Sequence, residues 1–201
     1  MLRKLPVAVV VIVAALLAVA AARAQDKSSA SLPSHIDTSQ GASGHLRAKL
    51  LLVDNEAAFN RDWATGRLQQ IKSVHRIARN KRLTALIVFS GCTPNRKGKC
   101  NARVDYKVLR PDGSVYAQVL GNELWSNRKP PAPGRVQVGV SVARIRIENK
   151  DPLGQYTVRA RVWDLNSDNK LVLQTHFTAY AEPQGKSAPA KPAPGQPAKD
   201  H

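Results

Sequence analysis

The feature that most constrains this chain is a two-residue hydrophobic rhythm running through much of residues 83–180. Ala102–Leu109 places Val104, Tyr106 and Val108 on one parity and Asp105 and Lys107 on the other. Gln155–Trp163 repeats the pattern through Tyr156, Val158, Ala160 and Val162, and Leu171–Tyr180 through Leu171, Leu173, Thr175 and Phe177. Successive side chains of a strand point to opposite faces, so this period specifies strands with one buried face. Leu46–Val53, Ser73–Ala78 and Arg82–Ser90 read as further strands, with continuous apolar runs at 50–53 and 86–89. Between Ala102–Leu109 and Ser114–Val119 stands Arg110-Pro111-Asp112-Gly113. Pro presets φ, Asp bonds its own backbone and Gly supplies a positive φ, so a hairpin is expected. Asn55–Gly66 is ambiguous: Phe59 and Trp63 share a helix face by spacing, but the segment is short. The sum is seven or eight strands without a long helix. Parallel neighbours need long, usually helical crossovers, and the chain offers few. An all-β antiparallel β-sandwich is the expected architecture.

One segment breaks the rhythm. Val136, Val138, Val140 and Val142 share one parity, whereas Ala143, Ile145 and Ile147 share the other. A period of two cannot serve a single core through that switch, so a bulge, or a strand passing between sheets, is predicted near Ser141–Arg144.

The ends are different material. In residues 1–24, Arg3 and Lys4 precede the apolar run Leu5–Ala21, and Ala22-Arg23-Ala24 supplies small residues around a cleavage point before Gln25. That is the pattern of a signal peptide, with an uncleaved signal anchor as the alternative. The expected address is the periplasm of a Gram-negative bacterium, or secretion, with no transmembrane helix after cleavage. Residues 25–44 read as a disordered linker, 45–182 as the folded domain, and 183–201, rich in Pro, Ala and Lys, as an extended tail.

Charge narrows the class of partner. The whole chain carries a formal +17, and residues 45–182 hold 24 basic and 11 acidic residues, so the domain itself is the basic part. Such a surface attracts polyanions. Three tryptophans, Trp63, Trp125 and Trp163, make a poor platform for stacking bases, which with export disfavours nucleic acid. An anionic envelope component or another envelope protein is the expected partner.

Asp151-Pro152-Leu153-Gly154-Gln155-Tyr156 resembles the entry to the penultimate strand of immunoglobulin-like domains, where a Tyr after an Asp and a Gly bonds back across the corner. One extra residue separates Asp151 from Gly154, and Val158 stands where antibody domains have a cysteine. With Phe89-Ser90-Gly91-Cys92, Arg110-Pro111-Asp112-Gly113 and Pro130-Pro131-Ala132-Pro133-Gly134, the stretch 83–180 resembles a group of secreted immunoglobulin-like proteins of proteobacteria. The resemblance implies an immunoglobulin-like fold, with Asp151, Gly154 and Tyr156 as its defining turn. It brings no active site.

Chemistry sought in the sequence is not found. Gly139-Val140-Ser141-Val142-Ala143 departs from a nucleophile elbow at its last position and has no helix after it. The five histidines, His35, His45, His75, His176 and His201, are not paired at ligand spacing, and no cofactor or metal is expected. His176, on the parity opposite Phe177, is expected to face solvent. The acidic residues Asp112, Asp151, Asp164 and Asp168 fall in predicted turns.

Cys92 and Cys100 form a candidate disulfide in an oxidising compartment, closing a loop that carries Arg96, Lys97 and Lys99. A redox pair is the alternative, but the compact spacing that depresses a thiol pKa is missing. Arg144 and Arg146, and Arg159 and Arg161, alternate with apolar residues and should point outward, giving seven candidate anion-binding cations with the loop. In an immunoglobulin topology the two arginine pairs fall in opposite sheets. A non-enzymatic binding or accessory module is therefore expected. A secreted hydrolase with an unrecognised site, and an assembly subunit pairing through an edge strand, are the alternatives.

Overall fold

Leu46, Ala48, Leu50 and Leu52 are buried on one face of their strand, while Leu51 and Val53 are buried on the other. Both faces of this strand have something to pack against, which explains why its apolar run does not alternate. A computed structural model describes residues 38–67 and 71–182. The expected signal peptide, the linker up to residue 37 and the tail 183–201 lie outside the described residues.

The described residues contain ten strands and one helix. They are β1 (Gln40–Ser43), β2 (Leu46–Val53), α1 (Glu56–Ala64), β3 (Arg76–Ala78), β4 (Arg82–Ser90) and β5 (Cys100–Leu109). After these come β6 (Val115–Arg128), β7 (Gln137–Val138), β8 (Ala143–Arg146), β9 (Gly154–Asp164) and β10 (Lys170–Tyr180). Two sheets of five strands result. In the first, β1, β2 and β4 lie side by side, and β7 and β8 both pair with the far side of β4. In the second, the order is β3-β10-β9-β5-β6. All pairings are antiparallel except β3 with β10.

One buried cluster takes side chains from both sheets: β2, β4 and β8 of the first, β5, β9 and β10 of the second. The expected inward residues Val104, Tyr106, Val108, Tyr156, Val158, Ala160, Val162, Leu171, Leu173, Thr175 and Phe177 are all buried. The sheets also meet at their margins. The Gln174 amide donates to the Thr38 carbonyl at 3.2 Å, and the Val140 amide to the Leu124 carbonyl at 3.0 Å.

A second, smaller cluster covers the outside of the first sheet. Helix α1 lays Phe59 and Trp63 over Leu51, Val53 and Leu86, with their rings stacked at 5.9 Å between centroids. The ambiguous segment is thus helical, and Asn55 caps it by accepting the Ala58 amide at 2.9 Å.

That second cluster also resolves the parity switch. Val138 opposes Val88 and Ala143 opposes Ala85, so four residues of the β7–β8 segment face two of β4. Two extra residues leave the alternation in phase. Val138 and Val142 belong to the cluster under α1, and Ala143, Ile145 and Ile147 to the core between the sheets. The irregularity falls at 139–142, and the segment stays in one sheet while its apolar side changes face.

Two turns set how β6 and β9 enter the second sheet. Gly113 has φ 83°, and the Asp112 carboxylate accepts the Ser114 amide at 2.9 Å, closing the hairpin between β5 and β6. At the entry to β9, which Gly154 begins, Tyr156 Oη donates to the Pro152 carbonyl four residues upstream at 2.7 Å. The Tyr156 ring stacks on Phe177 at 5.3 Å. Asp151, the first residue of that turn, accepts the Glu148 amide at 2.8 Å and the Tyr116 hydroxyl at 2.9 Å. The amide holds the Asp151 carboxyl below the usual range. Burial, then Asp151, pushes the Tyr116 phenol up to about 12.

Candidate functional site

The pairing of β9 between β5 and β10 sets three outward rows across the second sheet. Lys107, Arg159 and Gln174 make the first, Asp105, Arg161 and Val172 the second, and Arg103, Trp163 and Lys170 the third. Five of these nine positions are basic and one is acidic. Strand side chains stand roughly perpendicular to the sheet, so directly opposed residues have Cβ atoms about 5 Å apart.

Local bonding leaves the excess cation charge in place. Lys107 directly opposes Arg159, a like-charge pair. The Arg159 guanidinium turns to a neutral partner, donating from Nε to Gln174 Oε1 at 2.7 Å. Asp105 directly opposes Arg161 but does not pair with it. The Asp105 carboxylate accepts the Gly121 amide at 2.6 Å, fixing an irregular point of β6 where Gly121 has φ 68°. Arg161 instead lies over the Trp163 ring, 5.2 Å from its centroid. Among the described residues, the ion pairs are Arg67–Asp62, Arg128–Glu123, Arg144–Glu56 and Lys150–Glu148, and none involves this face.

A cleft of about 330 Å³ opens over these rows. Lys107, Arg159 and Arg161 line it together with Asp105, Gln118, Leu120 and Val172.

The cysteine loop stands at the end of this sheet. Cys92 and Cys100 are joined in a disulfide, with Cα atoms 6.0 Å apart. The Asn95 side chain accepts the Lys97 and Lys99 amides at 2.9 and 3.1 Å. Asn166, in the turn between β9 and β10, donates to the Thr93 and Lys99 carbonyls at 2.8 and 2.9 Å. Asp164, read from sequence as a turn residue, is buried, and its carboxylate accepts the Thr93 amide at 2.7 Å. Arg96 and Lys97 are exposed at the tip and Lys99 is half-buried.

The other arginine pair is placed differently. Arg144 and Arg146 lie on β8 in the first sheet, away from Arg159 and Arg161 on β9 in the second. Arg144 grips Glu56 at the start of α1 with two bonds, Nη2–Oε1 at 2.7 Å and Nε–Oε2 at 3.0 Å. The ion pair raises the Arg144 pKa. Arg146 Nε donates to the Asn80 carbonyl at 2.9 Å. Both guanidinium groups are engaged in holding the first sheet to its surroundings.

His176 corrects an expectation. It lies on the outward parity yet is buried, because Thr157 Oγ1 and Gln174 Nε2 approach its ring nitrogens at 3.1 and 3.4 Å and His75 reaches its carbonyl at 3.0 Å. Sequence reasoning missed Arg103, Lys107 and Lys170, although the alternation of Ala102–Leu109 already put Lys107 outward. What it lacked was the adjacency of β5 and β9, strands far apart in the chain.

Among the described residues no group of three or more His, Cys, Asp or Glu is placed to hold a metal ion, and no helix is long and apolar enough to cross a membrane. No protein-family model matches the chain, and no curated protein does. Among solved structures, the chain is similar to a family 123 glycoside hydrolase from Clostridium perfringens at 9% identity and TM-score 0.41, over 67% of this chain and 27% of that one. It is similar to the alkylpurine DNA glycosylase AlkC of Pseudomonas fluorescens at 14% identity and TM-score 0.37, over 68% and 31%. A CARDB domain from Pyrococcus furiosus is matched over its full length and 71% of this chain, at 11% identity and TM-score 0.34. The chain thus spans under a third of the length of each of these two enzymes. Likenesses this distant carry no functional argument.

Proposed function

We propose that this chain is an exported, non-enzymatic binding or accessory module with an immunoglobulin-like β-sandwich fold, which holds an anionic component of a Gram-negative cell envelope against the outer face of β5, β9 and β10. One observation carries the binding reading: Lys107 and Arg159 are opposed with no carboxylate between them, beside an Asp105 and an Arg161 that do not pair. Directly opposed like charges cost stability, and an anion bound across them relieves that cost. The cations of the Cys92–Cys100 loop extend the field at the end of the same sheet. Two sheets sharing one core, and the Tyr156-to-Pro152 bond, support the immunoglobulin-like reading. The signal-peptide pattern of residues 1–24 supports export.

The test is retention of the mature chain on immobilised heparin-like glycan and on lipopolysaccharide. Binding should weaken steeply as salt rises past about 0.1 M, where screening acts within about 10 Å. Arg159→Glu with Arg161→Glu should abolish retention. Retention unchanged across salt, or unchanged in that variant, rejects the proposal. Export is tested by the N-terminus of the periplasmic protein, expected at Gln25.

A second reading has its own observation. Strand β6 is a sheet edge fourteen residues long, with Val115, Val119 and Leu120 exposed. Such an edge can take a strand from another envelope protein. Co-purification that is lost when proline replaces Val119 would favour it.

A further inference from the structure

Leu120 and Val172 are 59% and 64% exposed, the two most exposed large apolar side chains among the described residues. They stand on opposite sides of one cleft, Leu120 on β6 and Val172 on β10. Three strand spacings separate β6 from β10, which is roughly 14 Å. Between them, β5 and β9 present Lys107, Arg159 and Arg161 with one acid, Asp105, whose carboxylate accepts the Gly121 amide, so the floor keeps a net positive charge. The cleft is therefore cationic along its floor and apolar at both walls.

A polymeric acidic glycan or a free inorganic anion would use the floor and leave the walls in water. Apolar groups gain only when they are removed from water, so the walls call for a ligand with an apolar part beside its charge. Two guanidinium forks and one ammonium suit phosphate, which accepts bidentate bonds from arginine. The 330 Å³ volume is at the small end for a ligand site. It matches a headgroup and the first methylenes of a chain rather than a whole lipid.

We propose that this cleft binds one phospholipid with an exposed phosphate headgroup, the phosphate over Lys107, Arg159 and Arg161 and the start of its acyl chains against Leu120 and Val172. The proposal rests on the anion-binding reading of the same face and narrows it to an amphiphile.

The experiment is titration of the mature chain with monomeric dihexanoyl phosphatidic acid, with dihexanoyl phosphatidylcholine and inorganic phosphate as comparators. Phosphatidic acid should bind at least about tenfold more tightly than either, because only it supplies charge and chain together. Leu120→Ser with Val172→Ser should lower that affinity at least about fivefold. Val172→Ile should keep the wild-type affinity. Both wall positions are exposed, so an unchanged melting midpoint checks that the double variant is folded. Inorganic phosphate binding as tightly as phosphatidic acid, or wild-type affinity in the serine double variant, overturns the amphiphile proposal and leaves the anion-binding reading standing. Loss of salt-sensitive heparin retention in the wild type overturns both.

Discussion

Lys107 on β5 and Arg159 on β9 face each other directly across the second sheet, and Arg159 bonds to Gln174 instead of to an acid. The sheet is less stable there than it would be with a neutral residue at either position. Lys107→Gln should therefore raise the unfolding free energy by about 0.5 kcal/mol at low salt, and weaken polyanion retention in the same protein. The gain should shrink as salt screens the repulsion. Chemical denaturation at two ionic strengths, beside a retention assay, measures both effects; a variant that loses stability would contradict the assignment.

The Cys92–Cys100 bridge joins residues eight apart in the chain. Chain-entropy arguments give such a bridge about 2–3 kcal/mol. Cys92→Ser with Cys100→Ser should destabilise by that amount and leave the melting transition cooperative. Thiol labelling of the denatured, unreduced protein, purified without reductant, should find no free sulfhydryl, and stoichiometric labelling would count against the bridge.

Tyr156→Phe removes one hydroxyl and frees the Pro152 carbonyl at the β9 corner. Pro152 is exposed, so its carbonyl can turn to water, and losing the bond costs about 0.5–1.5 kcal/mol. The expected result is a lower denaturation midpoint with unaltered retention on heparin, since Tyr156 is buried on the inward face of β9, opposite the outward rows.

Acid and alkali titrate groups that the fold shifts, Asp151 among the acids and Tyr116 among the phenols. Asp151 has its carboxyl pKa depressed in the fold by the Glu148 amide and then the Tyr116 hydroxyl. Its contribution is fully present above the unfolded aspartate value of about 3.9 and is lost as pH falls through the lower folded value. Tyr116 is raised instead, to about 12, so its contribution holds below the unfolded value of about 10 and fades as pH rises toward 12. Melting midpoints measured across both limbs should show the acid limb flattened in Asp151→Asn and the alkaline limb flattened in Tyr116→Phe.

Much of this was legible in the chain because periodicity reports burial directly. The alternation at Val104, Tyr106 and Val108, and at Tyr156 through Val162, maps onto buried faces, and Pro111-Asp112-Gly113 turns where its residues require. The sequence also marked a disturbance near Ser141. It did not disclose that a second apolar layer, Phe59 and Trp63 of α1, lies outside the first sheet, so the change of parity at Ala143 reads as a bulge or a strand passing between sheets, whereas the apolar side changes face within one sheet across the irregularity at 139–142. Gln40–Ser43, in the segment read as a linker, gains order by pairing with Arg47 and its neighbours in β2, a long-range reward that local composition does not record. His176 fails for a similar reason: parity assigns a face, while burial depends on what Thr157 and Gln174 place beside it. The opposition of Lys107 to Arg159 needed a neighbour relation between strands distant in the chain.

The most direct measurement is the ionic-strength dependence of binding to a soluble heparin-like polyanion, compared between wild type and the triple variant Lys107→Gln, Arg159→Gln, Arg161→Gln. The wild type should lose roughly tenfold or more in affinity between about 0.05 and 0.3 M salt, as screening of a clustered charge requires. The triple variant should bind weakly at every salt concentration while melting no earlier than the wild type. A triple variant that follows the wild-type curve would show that the charge on β5 and β9 is not what the partner meets.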